Sequence, residues 1–149
     1  MSAAHESINV ESLVPHKWAM CLWQRVIDHD DGHVRVTTDG HRAADHPLRS
    51  DDMLKAIHLC EYGAQAMAVH GGLLGRTRGG PVKAGMLVAL RGVQLHVARI
   101  DDLAGELTGE AELLMDSETS QQYGFRILHG DVVIAEGRAA VMLETNNGE

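Results

Sequence analysis

A carboxylate and an amide stand at helical spacing in the segment HLCEYGAQAMAVHGG, residues 58–72. Glu61 precedes Gln65 by four residues, which places both side chains on one face of an α-helix. The surrounding side chains are mostly small or apolar, so we expect burial to raise the pKa of Glu61 and make it a general acid. Gln65 would then hold water or substrate beside it. The structural alternatives are an ion pair or a loop cap for Glu61 and a backbone hydrogen bond for Gln65.

Histidine is the side chain best suited to remove a proton near neutral pH, because its unperturbed pKa is about 6.5. The chain contains ten histidines, and three of them are candidates to act beside Glu61. His46 lies in the loop before the predicted helix, and His16 follows a proline in an N-terminal turn. His58 lies one helical turn before Glu61 and could contact it. Each has a structural alternative: His46 as a solvated loop residue, His16 as a structural residue of the turn, and His58 as a hydrogen-bonded helix residue.

Composition and charge exclude several classes of protein. The 149 residues are 44% hydrophobic, which indicates one globular domain over 1–149 and not a disordered or fibrous chain. The net charge of −8 argues against a general nucleic-acid binder. Neither a secretory signal nor an apolar run of membrane-spanning length is present, which predicts a cytoplasmic protein with no membrane span. Cys21 and Cys60 form no disulfide framework and no metal-ligand pattern.

One long helix is predicted over residues 51–70. Ser50 is its expected N-cap, and the two aspartates that follow would complement the dipole in the first turn. Gly71-Gly72 is expected to end the helix. The backbone N–H groups of the first turn, at about 50–53, would be available to polarise a bound carbonyl group.

The other periodic segments predict strands. Residues 33–38 alternate between polar and apolar side chains and predict a strand, whereas 20–29 fit a strand or a helix. Residues 83–100 predict a long strand with a bend or bulge at Gly92. Three more strands follow, with a tight hairpin turn predicted at the Gly-Asp pair 130–131.

The predicted order is two strands, one helix and four strands, which favours an α+β fold. One helix cannot cover both faces of such a sheet, so an antiparallel sheet wrapped around a central helix is the simplest layering. This layering leaves sheet edges available to a partner subunit.

Three segments carry a resemblance to a known family. The central segment CEYGAQAMAVHGGLL resembles the central-helix motif of the β-hydroxyacyl-acyl-carrier-protein dehydratases, in which a Gln follows a Glu by four residues. LVPHKWAMCLWQRV is similar to their N-terminal signature, and GMLVALRGVQLHV is similar to the strand after their helix. The overall likeness is to a divergent branch associated with aryl polyene synthesis, and it covers about residues 10–143. It implies the hot-dog fold, in which the sheet curls around one long helix.

This resemblance implies a lyase of fatty acid or polyene biosynthesis. It would remove water from a 3-hydroxyacyl thioester carried on acyl-carrier protein, leaving the 2-enoyl thioester. Glu61 would be the acid and His46 the base, with His16 as the alternative base. Gln65 and His58 would contact the substrate. No cofactor is implied beyond the phosphopantetheine that carries the substrate, and no metal is expected.

The sequence also departs from the family pattern. His46 stands in DHPLRS, which lacks the Phe and the Pro-Gly of the family's catalytic segment. It lies 15 residues before Glu61, one more than in the family. Two rival hypotheses therefore stay open, an acyl-thioester hydrolase on the same fold and a non-catalytic acyl-binding subunit that pairs with an active homologue.

The resemblance also implies partners. They are an acyl-carrier protein or a coenzyme A thioester as substrate, and a second subunit. A homodimer or a higher oligomer is expected, with a heterodimer with a homologue as the alternative.

Overall fold

The structure, a computed structural model, describes residues 8–9, 21–78 and 85–143. One long helix, α1 (Leu59–Arg78), packs against an antiparallel sheet of seven strands, which lie in the order β1-β2-β3-β5-β6-β7-β4. The α+β hot-dog arrangement predicted from the sequence is confirmed. The strands are β1 (Ile8–Asn9), β2 (Arg25–His29), β3 (His33–Thr38), β4 (Gly85–Leu95), β5 (Leu107–Asp116), β6 (Ser120–His129) and β7 (Val132–Leu143).

The sheet has an inner face against α1 and an outer face turned away from it. Along β6 the side chains alternate, with Tyr123, Phe125 and Ile127 buried and Arg126 exposed. This alternation is the two-residue period of a strand with one buried face. Within the described residues, no helix is both long and apolar enough to cross a lipid bilayer.

Glycines let the helix and the sheet approach closely. A Cβ atom on Gly63 of α1 would lie 2.6 Å from the ring of Phe125, and one on Gly137 of β7 would lie 3.0 Å from the other side of that ring. The indole of Trp23 lies against Gly109 of β5 in the same way. Glycines of both the helix and the sheet therefore make room for the aromatic rings of Phe125 and Trp23.

The predicted start of the helix is wrong. The chain forms a tight turn in which Ser50 and Met53 pair with each other, and Asp51 and Asp52 between them have φ of 54° and 59°. A left-handed backbone cannot continue into an α-helix, and aspartate tolerates that conformation better than most residues. The helical segment begins later, with a 3₁₀ turn at Ala56–His58 that leads into α1.

The predicted end of the helix is also wrong, because α1 continues through Gly71 and Gly72 to Arg78. Leu73 and Leu74, which follow the glycines, are 4% and 5% exposed. Burial of these two side chains offsets the roughly 1 kcal/mol by which each glycine disfavours a helix.

The strand predictions hold where one face is buried. Residues 33–38 form β3, and the ambiguous segment 20–29 contributes β2. Gly92 has φ of 60°, and the pairing of β4 with β7 shifts register beside it, which confirms the bulge. Gly130, with φ of 62°, lies in the two-residue turn between β6 and β7, which confirms the hairpin.

Candidate functional site

The predicted acid and amide are in contact near the beginning of α1. Gln65 donates a hydrogen bond from Nε2 to Oε2 of Glu61 at 3.1 Å, and its Oε1 accepts one from the backbone N–H of Leu22 at 2.9 Å. Gln65 is buried and Glu61 is half-buried. The backbone hydrogen bond considered as a structural role for Gln65 is therefore present together with the contact to Glu61.

The contact with Leu22 gives the amide of Gln65 one orientation. Because its oxygen faces a backbone N–H, its nitrogen must face Glu61. Glu61 is thus fixed by a neutral donor on a rigid helix, with part of its surface accessible. A carboxyl group held in this way can exchange a proton with a bound molecule.

His46 is buried and hydrogen-bonded, so it is not the solvated loop residue considered above. Its Nδ1 accepts a hydrogen bond from the backbone N–H of Leu48, and its Nε2 lies 3.1 Å from Oη of Tyr62. Since Nδ1 acts as an acceptor, the neutral ring carries its proton on Nε2 and donates it to Tyr62. Burial lowers the pKa of His46, and the nearby charges of His58 and Arg49 lower it further.

This arrangement constrains what His46 can do. A general base needs a nitrogen lone pair directed at the substrate. In His46 the lone pair of Nδ1 is directed at the Leu48 N–H, and Nε2 carries the proton. Removal of a substrate proton through Nε2 would first require transfer of the ring proton to Nδ1, with loss of the hydrogen bond from Leu48. The assignment of His46 as base stays a prediction.

Tyr62 is a site residue that the sequence reasoning did not identify. It is fully buried, its ring meets that of Trp23 edge-to-face at 5.3 Å, and its carbonyl oxygen accepts a 2.7 Å hydrogen bond from the Trp23 indole. Burial raises the pKa of its hydroxyl, which stays protonated. Tyr62 directly follows Glu61, so it links His46 to the helix turn that carries the predicted acid. The sequence feature that could have identified Tyr62 is its position between Glu61 and Gln65 in the EYGAQ motif.

The other two predicted histidines have different outcomes. His58 lies in the 3₁₀ turn before α1, half-buried and close enough to His46 to influence its pKa. The structure thus brings His58 and His46 to the same end of the helix. His16 lies outside the described residues, so its assignment as alternative base also stays a prediction.

The predicted carbonyl-polarising site at 50–53 is not a helix terminus. The N–H of Met53 donates to the carbonyl oxygen of Ser50, and the N–H of Leu54 donates to Oδ1 of Asp101 at 2.9 Å. Because the helical segment starts at Ala56, the positive end of the helix dipole lies there.

Asp101 anchors the loop that leads into the helix. Its side chain is 6% exposed and accepts hydrogen bonds from Leu54 and from the Arg99 guanidinium, with Arg49 4.0 Å away. The hydrogen bond from Arg99 holds the pKa of Asp101 well below its usual range. Lys55 pairs with Arg99 in the same region. The loop between His46 and α1 is therefore fixed by a segment that lies far away in the sequence.

Comparison with known structures gives the same fold throughout. The dehydratase heterocomplex ApeI:P from Xenorhabdus doucetiae is similar with a TM-score of 0.83 and 24% identity, over 95% of this chain and 94% of that one. A hypothetical thioesterase with coenzyme A from Streptococcus pneumoniae TIGR4 gives 0.59 and 17%, over 80% and 84%. The E. coli PaaI protein from the phenylacetic acid degradation operon gives 0.58 and 18%, over 78% and 80%.

Comparison with curated proteins returns no match. The family model of the ApeP-like proteins, described as ApeP dehydratase, matches residues 8–148. That span includes the strands, the central helix and the Glu61–Gln65 pair. Because the match covers nearly the whole sequence, the chain belongs to the ApeP-like dehydratase family.

Proposed function

We propose that the chain is a subunit of a dehydratase that acts on 3-hydroxyacyl thioesters carried on acyl-carrier protein. The observation that carries this proposal is the Glu61–Gln65 pair, a carboxyl group oriented by a buried amide on the central helix. Membership of a dehydratase family supports the reaction class. That the substrate is carried on acyl-carrier protein is a more specific proposal than the reaction class itself.

The reaction assigns one task to each group. A base removes the α-proton of the thioester, and the Cα–H electron pair forms the new double bond. Glu61 gives its proton to the hydroxyl group at Cβ, which leaves as water, and the product is the 2-enoyl thioester. Glu61 ends as a carboxylate and is reprotonated by way of the base that took the α-proton, so the site returns to its starting state.

A histidine is the proposed base, and His46 is the first candidate in this chain. Its burial keeps the ring neutral near pH 7, which is the form that accepts a proton. The proton on Nε2 would have to shift to Nδ1 before the ring could act. His16 is the alternative base, and His58 and Gln65 are proposed to contact the substrate.

A partner subunit is part of the proposal. Strand β4 lies at one end of the strand order, and three of its large apolar side chains are exposed, Leu87, Val88 and Leu90. Exposed apolar residues on an unpaired sheet edge favour addition of a strand from another chain. The similar ApeI:P structure is a heterocomplex, and we propose that this chain also pairs with a homologous subunit.

The hydrogen bonds of His46 favour a second candidate function, a non-catalytic acyl-binding subunit beside an active homologue. If both ring nitrogens of His46 serve only to hold the loop and Tyr62, this chain has no base at that position. In that case Glu61 and Gln65 would bind the hydroxyacyl group through hydrogen bonds and would not transfer a proton.

Product analysis separates these functions. The protein is incubated with 3-hydroxyacyl-acyl-carrier thioesters, alone and after co-purification with a homologous subunit, and the carrier-bound products are weighed by mass spectrometry. We expect loss of one water from the acyl group. Release of the free hydroxy acid would show a thioesterase instead. Recovery of unchanged thioester in both preparations would contradict catalysis by this assembly.

A further inference from the structure

The β4 edge of the sheet, which has no further strand beside it within the described residues, carries an unusual pair of charges. On β4 and β7, Arg91 and Arg138 are directly opposite each other in the strand register. Arg138 precedes the buried Ala139, so it points to the outer face, and its cross-strand neighbour Arg91 points to the same side. Like charges directly opposite in a sheet are destabilising.

Several other charged side chains of the outer face have hydrogen-bonded partners of opposite type. Arg35 and Arg126 both bind Glu110, and His96 binds Glu136. By contrast, neither Arg91 nor Arg138 forms an ion pair within the described part of the chain. Both line a concavity of about 750 Å³ on the outer face. Glu110, Glu112 and Glu136 line the same concavity. The two arginines are therefore exposed beside the apolar edge without a direct ion-pair partner among the described residues, although carboxylates lie on the same face.

A second copy of this chain could not neutralise them through the same edge. The sequence of β4, GMLVALRGVQL, contains no Asp or Glu. Whatever the register, two copies of β4 laid side by side would bring a second Arg91 to the seam and no carboxylate from β4 itself. Burial of uncompensated charges at an interface weakens association.

We propose that Arg91 and Arg138 select the partner subunit. They disfavour pairing of this chain with itself through β4, and they favour a different hot-dog subunit whose edge strand presents carboxylates on the outer face. This inference rests on the pairing through β4 proposed above and does not depend on which reaction the assembly carries out. It makes the arginine pair a determinant of partner specificity that acts by repulsion as well as attraction.

The test is self-association of the isolated full chain, measured by sedimentation velocity over a range of micromolar concentrations. In Arg91→Glu the new carboxylate faces Arg138 on the neighbouring strand, so the like-charged cross-strand pair becomes a pair of opposite charges. We expect self-association to become roughly tenfold tighter than in the wild type. The overall charge becomes more negative, which on its own would weaken association, so the expected change runs against the general charge effect.

Arg42→Glu is the matched control, because Arg42 is exposed in a 3₁₀ turn away from β4 and the substitution changes the net charge equally. It should not tighten self-association. Arg138→Glu provides a second neutralising variant if Arg91→Glu fails to fold. A wild-type chain that forms a tight homodimer, or neutralised variants that fold and associate no better than the wild type, would overturn the proposal. Neither result depends on the dehydration reaction, so a failure of this proposal and a failure of the proposed activity can be distinguished.

Discussion

At Gln65 a single side chain joins the N-terminal segment of the fold to the proposed acid, through Leu22 on one side and Glu61 on the other. The i, i+4 spacing was sufficient to predict that Glu61 and Gln65 meet. The hydrogen bond from Leu22 was not predictable, because it depends on how a distant segment packs against the helix. Tyr62 and His46 meet for the same kind of reason, through the path of a loop that carries no periodic signal.

Replacement of His46 by asparagine tests its role at the residue scale. In His46→Asn the side-chain oxygen can still accept the hydrogen bond from Leu48, but the basic nitrogen is removed. If His46 is the base, turnover should fall by roughly 10²–10⁴-fold while the protein stays folded. The measurement is the initial rate of enoyl thioester formation, with circular dichroism to verify folding. Turnover close to that of the wild type would assign His46 a structural role and direct the search to His16.

The helix–sheet contact predicts an effect opposite to ordinary helix propensity. Alanine normally stabilises a helix relative to glycine, yet in Gly63→Ala the new methyl group would lie 2.6 Å from the Phe125 ring. We expect Gly63→Ala to lower the free energy of unfolding by about 1–3 kcal/mol through overpacking. Gly71 is the control, since a Cβ atom there would meet nothing within 4 Å. Gly71→Ala should raise stability by about 0.5–1 kcal/mol.

Urea unfolding of both variants measures this difference. If Gly63→Ala proved as stabilising as Gly71→Ala, the close packing of the helix on Phe125 would be contradicted.

At the scale of the element, the strands and the centre of the helix were predictable, whereas both helix ends were not. The start was mispredicted because Leu54 and Lys55, which follow the turn at residues 51–52, are held by Asp101 and Arg99, and local sequence does not reveal these contacts. The end was mispredicted because two consecutive glycines end a helix only when the residues after them bury no apolar side chains. Here Leu73 is buried after them and sustains another turn.

At the scale of the whole molecule, the described residues include three buried histidines whose pKa is lowered in the folded state. Burial lowers the pKa of His41, His46 and His70. The unfolded chain therefore binds protons below about pH 6.5 that the folded chain does not bind. The stability contributed by these neutral rings is present above that pH and is lost as the pH falls. His33 acts in the opposite direction, because its hydrogen bond to Asp30 raises its pKa. Since three histidines oppose one, we expect a lower free energy of unfolding at pH 5.5 than at pH 7.5, by up to about 1.4 kcal/mol per pH unit for each buried histidine.

Chemical denaturation at several pH values checks this expectation. His41→Gln is an informative variant, because its amide can still donate to the carbonyl oxygen of Leu103, the acceptor that His41 Nε2 contacts at 2.8 Å. That variant should show a shallower dependence of stability on pH. A stability that is flat or rises from pH 7.5 to 5.5 in the wild type would contradict the assignment.

The dehydration rate of Glu61→Gln in the assembled enzyme tests the central claim most directly. The new glutamine has the same size as Glu61, and its side-chain oxygen can still accept the hydrogen bond from Gln65, but it cannot act as an acid. Glu112→Gln, at an exposed carboxylate on β5, is the matched control. With 3-hydroxyacyl-acyl-carrier thioester as substrate, we expect Glu61→Gln to lose roughly 10²–10⁴-fold in rate while Glu112→Gln keeps the wild-type rate. A folded Glu61→Gln enzyme that forms the enoyl thioester at the wild-type rate would contradict the role of Glu61 as the acid.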